Sequence, residues 1–324
     1  MRRQGVGGGQ LVPGGAMHIK SLLAVTAVVA AAVQPVGVAA AQPTVVREVF
    51  SPDGTISRVR MPARPVAVAL APVSASVVTI QQTGPSSSKF DLVFVGDGYT
   101  SSQMAVYHRH VLDKWAELTQ VEPYKSMKNS FNVWQVNVVS AQSGVDNDPS
   151  QGMSRNTALD MYFWCDGLER LLCVDEAKAQ RYAALAPGVD QVLAVGNSTK
   201  YGGAGGTVAT ASGGNAQAGQ IVAHELGHSI GGLADEYDVP NDLYTGGEPV
   251  EPNVSTLPGR VKWYSHLGEA TPDGGVIGVY EGAYYCRRGV YRASENSLMR
   301  TLGRGFDVGG LEVMEAAIAR RAGG

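Results

Sequence analysis

His224-Glu225-Leu226-Gly227-His228 places two imidazoles four residues apart at the end of the apolar run Ile221-Val222-Ala223. On a helix, positions i and i+4 lie roughly 5–6 Å apart on one face, so both rings can reach one cation. Imidazole nitrogens bind zinc at about 2.0–2.1 Å, and a catalytic zinc needs only three protein ligands plus a water. Glu225, next to the first histidine, is placed to take a proton from that water. The residue types and their spacing are those of metal-assisted hydrolysis.

A third ligand requires the chain to turn back. If the helix simply continued, Asp235 would lie about 10 Å beyond His228 along the axis at ~1.5 Å per residue, too far to share a metal. Gly231 and Gly232 can end the helix, because glycine tolerates the left-handed conformation found at helix C-termini. Beyond them Leu233-Ala234 returns Asp235 and Glu236 towards the histidines. Either carboxylate can complete the set; Asp235 is the favoured ligand, with Glu236 as the alternative or as a group orienting an imidazole. Glu248 and Glu251 are poorly placed, since residues 240 to 260 contain four prolines and no helical period.

Residues 42 to 88 carry short alternating runs (Arg47 to Phe50, Thr55 to Met61, Ser74 to Gln81) with a Pro52-Asp53-Gly54 turn, a small β-rich unit or a propeptide. Phe90 to Val95 is an apolar strand running into Gly96-Asp97-Gly98. Thr100 with Gln103 forms a capping box that opens a helix to about Leu118. Further strands are expected at Phe131 to Val139 and Val189 to Val195, and helices at Asp175 to Leu185, Ala216 to Ile230 and Leu311 to Arg321. Strands alternating with helices predict an α/β (α+β) domain over 89–324, with a mixed twisted sheet, an active-site helix and a loop-rich C-terminal subdomain.

His224 to Tyr237, HELGHSIGGLADEY, resembles the active-site signature of the IgA-peptidase family of zinc metallopeptidases, among the zincins that carry a methionine turn under the metal. VFVGDGYT (Val93 to Thr100), the glycine-rich Tyr201 to Gly206, Glu281-Gly282-Ala283-Tyr284 and Ser297-Leu298-Met299-Arg300 are similar to family elements in the expected order, over roughly residues 90 to 305. The resemblance implies a zincin-like fold, one zinc held by His224, His228 and an acidic residue at Asp235, and a catalytic Glu225. It implies peptide-bond hydrolysis but carries no immunoglobulin substrate with it. Met299 matches the methionine turn.

Tyr201, Gly202, Gly203, Gly205 and Gly206 lack the Gly-Lys-Ser/Thr ending of a phosphate loop. Just before the active helix they read as an edge strand on which a substrate backbone could add. Asp146-Asn147-Asp148 has calcium-ligand types without the full loop pattern, so calcium is unsupported. His266, Tyr237, Tyr284 and Tyr285 are weak candidates for stabilising an oxyanion.

Composition narrows the class. Glycine supplies 41 of 324 residues, and 17% are charged against a usual ~25%. With 26 basic and 29 acidic residues and no long basic cluster, nothing in the composition points to a nucleic-acid binder. From Met17, the expected start, a basic opening, the apolar run Leu22 to Val33 and Ala39-Ala40-Ala41 read as a signal peptide over 1–41, too short to span a membrane. Export is therefore expected, to an extracellular or periplasmic location, with no stable membrane association after cleavage. In such a compartment Cys165 and Cys173 could pair, leaving Cys286. The expected function is a secreted zinc endopeptidase with a protein or peptide substrate; no oligomeric interface is legible. The rival readings are an exported zinc hydrolase of a non-protein amide, such as a cell-wall component, and a secreted binding module with a structural zinc.

Overall fold

A computed structural model describes residues 44–62 and 74–322 of the chain. The signal peptide expected over residues 1–41 lies outside them.

The first element is a hairpin of β1 (Thr44–Phe50) and β2 (Ile56–Pro62), paired antiparallel from Thr44↔Pro62 to Phe50↔Ile56. Its turn falls at residues 52–54, where the Asp53 carboxylate accepts from both the backbone and the hydroxyl of Thr55. The third alternating run, β3 (Ser76–Gln81), does not extend the hairpin. It pairs antiparallel with β5 (Phe131–Asn137) at one edge of a six-stranded sheet.

That sheet runs β3-β5-β4-β6-β8-β7, with β4 at Phe90–Asp97, β6 at Gln191–Gly196, β7 at Gly203–Ala204 and β8 at Val208–Ser212. The inner strands β5, β4, β6 and β8 are parallel, and the edge strands β3 and β7 are antiparallel. The inner strands are buried on both faces, which is why they read as near-continuous apolar runs. Phe90, Leu92 and Phe94 face a core shared with α1 (Met104–Leu118), α3 (Gly219–Gly231) and α4 (Val308–Arg321). Val93 and Val95 face the other way, towards α2 (Glu176–Ala183) and the segment carrying Leu159, Met161 and Phe163.

Caps decide where these helices begin. The Thr100–Gln103 capping box is present, opening a short 3₁₀ turn that leads into α1. Helix α4 starts earlier than its apolar period suggested, because Asp307 accepts from the backbone of Gly310 and holds the two glycines of the first turn. The stretch after Val239 carries a small sheet of β9 (Asn241–Leu243), β10 (Val254–Ser255), β11 (Tyr280–Ala283) and β12 (Cys286–Arg292). The architecture is mixed α/β with mixed sheets. No described helix is long and apolar enough to cross a membrane.

Where β4 ends, buried Asp97 accepts from the backbone N–H groups of Leu159 and Met161, each at 2.8 Å, and from the Ser140 hydroxyl at 3.1 Å. One carboxylate thus ties the long β5–α2 connection to the sheet. Asp97→Ala leaves those two amides buried without an acceptor, at ~1–3 kcal/mol each. We expect a loss of about 3 kcal/mol, read as a lowered urea midpoint.

Candidate metal centre

Helix α3 presents His224 and His228 on one face, and Gly232, at φ 59°, caps its end in the left-handed conformation. The chain then reverses, the Leu233 N–H donating back to the Gly227 carbonyl at 3.2 Å. This reversal brings Asp235 under the histidines. The hairpin β11–β12 locks it there. Tyr284 and Tyr285 have φ of 51° and 67° between the paired Ala283 and Cys286, the backbone of a two-residue primed turn without its usual glycine or asparagine. Their N–H groups donate to the Asp235 and Tyr237 carbonyls, and the Tyr285 hydroxyl donates to Asp235 Oδ2 at 2.6 Å.

Four donors converge: His224 Nε2, His228 Nε2, an Asp235 oxygen and a Glu48 oxygen. The two Nε2 atoms are 3.1 Å apart. From His224 Nε2, Glu48 Oε2 lies at 3.1 Å and Asp235 Oδ1 at 3.2 Å; from His228 Nε2 they lie at 3.6 and 3.3 Å. A tetrahedron with ligands ~2.0–2.1 Å from its centre has edges of about 3.3 Å.

The chemistry of the donors agrees with that fit. Nδ1 of His224 faces the Leu298 carbonyl at 3.1 Å and Nδ1 of His228 faces the Leu233 carbonyl at 2.6 Å. Carbonyls only accept, so each Nδ1 carries the hydrogen and each Nε2 presents a lone pair. Lone pairs at these separations repel unless positive charge lies among them. Asp235 Oδ1 is buried without a hydrogen-bond donor. These residues suit a divalent cation of the zinc type.

Where no cation lies among them, the two carboxylates favour a proton on each Nε2 in its place. Burial alone would lower the histidines, but the Asp235 and Glu48 carboxylates outweigh it, carrying His224 up to about 10 and His228 well above its usual value. Burial also opposes ionisation of Glu48, yet its contacts with Asp235, His224 and His228 hold it well below the usual carboxylate range. Glu225 sits beside this group, 7% exposed, with Oε1 lacking any partner. Burial, then the charge of Glu48, pushes it up to about 8.

Glu236, the alternative ligand, points elsewhere. Its carboxylate accepts from Ser297 Oγ at 2.6 Å and Asn253 Nδ2 at 2.9 Å, and burial followed by the charge of Asp307 pushes it up to about 8. Its backbone N–H donates to the Met299 carbonyl at 2.9 Å. Glu236 therefore ties the post-helix segment to the turn that carries Met299. Met299 is buried under Gly227, where a β-carbon would meet its sulfur, and its neighbour Leu298 orients His224.

Of the glycine-rich segment, the structure brings Gly205 and Gly206 to the cleft with Glu225 and His228. Tyr201, Gly202 and Gly203 are not at a free edge: the Gly203 N–H donates to the Arg170 carbonyl, Gly203 bridges Leu171, and the Tyr201 hydroxyl reaches Ser51. Glu248 accepts from Thr256, Glu251 from Tyr284, and His266 lies between Glu269 and Glu312. Asp146 and Asn147 hold their own turn through Arg155 and Phe163. Cys165 and Cys173 form a disulfide, and Cys286 is free and buried.

Glu48 was the donor that local spacing could not find. The one hint was its place on the strand, two residues before the apolar Phe50 on the same face; Phe50 packs edge-on against the His224 ring at 5.4 Å.

A family model described as IgA Peptidase M64 matches residues 78–274, a span that includes His224, Glu225, His228 and Asp235. Glu48, Tyr285 and Met299 fall outside it. Among curated proteins nothing matches the chain.

Proposed function

The chain belongs to the IgA Peptidase M64 family and is thereby a metallopeptidase, and from that premise we propose that it is an exported zinc endopeptidase with a zincin-like catalytic domain. The observation that carries the reading is the meeting of two bare imidazole nitrogens and a buried Asp235 oxygen beside a Glu225 carboxylate whose Oε1 has no partner. Zinc bound there would supply a Lewis acid, polarising a peptide carbonyl and acidifying a water. Glu225 accepts the proton as the water attacks and delivers it to the leaving amide nitrogen. His224 and His228 keep their tautomers through Leu298 and Leu233, and Tyr285 fixes Asp235 from the far oxygen. Export accords with the Cys165–Cys173 disulfide.

Substrate backbone is proposed to lie along Gly205 and Gly206. A β-carbon at Gly205 would overlap the Glu225 carboxylate, so the segment can approach this group only as glycine. Gly205→Ala should keep zinc and fold but lower hydrolysis by about 10²-fold, the scale on which misplacing a reacting group is felt; turnover of a fluorogenic casein at equal zinc content checks it.

One observation favours a structural zinc: Glu48 completes four protein donors, as a closed site would have. Against it stands Glu225, a buried carboxylate that a structural site has no use for. Zinc-loaded chain should digest casein, lose that activity to 1,10-phenanthroline and regain it with zinc. Digestion of peptidoglycan and not casein would move the assignment to the cell-wall amide.

A further inference from the structure

Val46, Glu48 and Arg58 of the hairpin share a cleft of about 360 Å³ with Gly205, Glu225 and His228. Resting on the peptidase reading above, we propose that Glu48 is a self-inhibiting ligand. Its Oε2, 3.1 Å from His224 Nε2, stands where the reacting water must enter, so hairpin β1–β2 holds the enzyme below its capacity until Glu48 withdraws.

Three observations converge. A hydrolytic zinc keeps one position open beside three protein ligands; His224, His228 and Asp235 already supply three, and Glu48 makes the fourth. The preceding residue obstructs the cleft a second time, Arg47 Nη1 donating to the Gly205 carbonyl at 3.0 Å, an acceptor that a substrate amide would use. Finally, Glu48 is 8% exposed, and the basic side chains within reach of its carboxylate are His224 and His228 alone among the described residues. A carboxylate buried for packing would be costly without a counter-charge; here the site itself is the counter-charge.

The hairpin is built so that this contact can be released. Its backbone is anchored on both sides of the cleft, so it is the Glu48 side chain that has to leave: Phe50 and Ile56 are buried in the main core, Val49 and Met61 in the cluster around Cys165 and Ala204, Arg47 pairs with Glu176, and the Leu302 N–H donates to the Gly54 carbonyl at 2.9 Å. Towards the cleft it is held by side chains. The Tyr237 hydroxyl donates to Glu48 Oε1 at 3.1 Å, and the Arg58 guanidinium lies 3.8 Å over the Tyr285 ring. The Tyr237 bond is buried and ends on a carboxylate, worth about 1.5–3 kcal/mol, and the half-buried cation–π contact adds about 1 kcal/mol, a total that a bound peptide can match.

The test compares the full chain with Glu48→Ala and Glu48→Gln, each loaded with cobalt and titrated with acetohydroxamate through the visible absorption, and each zinc-loaded form assayed on casein. Both variants should hold one metal, bind acetohydroxamate at least tenfold more tightly and digest casein at least tenfold faster than the parent. Glu48→Gln keeps the side-chain shape and an acceptor for Tyr237, so it reports even where Glu48→Ala does not fold. Unchanged hydroxamate affinity, hydrolysis no faster than an active parent, or failure of both variants to hold metal overturns the inference. Tighter hydroxamate binding with no hydrolysis by any form instead removes the peptidase reading and leaves Glu48 in its place at the metal.

Discussion

Glu225→Gln should lower casein hydrolysis by about 10³-fold, within the ~10²–10⁴ range for loss of a general base, while zinc stays at one per chain. Glutamine nearly matches the volume, so the buried position beside His224 keeps its packing. None of the four converging donors comes from residue 225, so metal uptake is untouched. What is lost is the capacity to take a proton. The pair of readouts, kcat on casein and zinc by atomic absorption, separates proton transfer from metal binding. A variant that lost zinc as well would place Glu225 among the ligands.

Asp235→Ala and Glu236→Ala, neighbouring substitutions of like residues, should fail in opposite ways. Removing Asp235 takes away a donor 3.2 Å from His224 Nε2 and 3.3 Å from His228 Nε2, so zinc affinity falls by more than the ~10–100-fold typical of a ligand's supporting partner. Hydrolysis at limiting zinc falls with it. Glu236→Ala leaves the metal donors in place but strips the acceptor from Ser297 and Asn253. Its expected effect is a stability loss of about 2 kcal/mol, with zinc stoichiometry near one. Chelation of the parent should also lower its melting temperature, since zinc at ~1,000 times its Kd contributes about 4 kcal/mol to the folded state.

How far the sequence could be read depended on how local each contact is. His224, Glu225 and His228 are set by helical spacing within five residues, and the capping box at Thr100 is equally local. The Gly231-Gly232 break already favoured Asp235 over Glu236, and the family resemblance pointed to Asp235 and Met299 as well. Between Asp235 and Glu236, sequence spacing left the choice open, because adjacent side chains of a non-helical segment diverge and only tertiary partners say which way each goes. Tyr285 on one and Ser297 with Asn253 on the other are those partners.

Glu48 is 176 positions from His224, and no periodicity relates a hairpin residue to a helix that far along the chain. The glycine-rich segment was legible as lying near the site but not in detail. Residues 170–172 cover Gly203, and only Gly205 and Gly206 reach the cleft. The last strand of the N-terminal runs, Ser76–Gln81, looked like its neighbours in sequence yet pairs with β5, since pairing is set by which edge is free.

One cation is proposed to sit between His224, His228 and Asp235 with Glu225 at its side. Anomalous diffraction at the zinc absorption edge, from crystals of the zinc-loaded chain, tests it most directly. The expected result is a single strong peak within ligand distance of His224 Nε2, His228 Nε2 and Asp235 Oδ1, with Glu225 outside the coordination sphere. A peak elsewhere, or zinc bound by the histidines with Asp235 turned away, would contradict it.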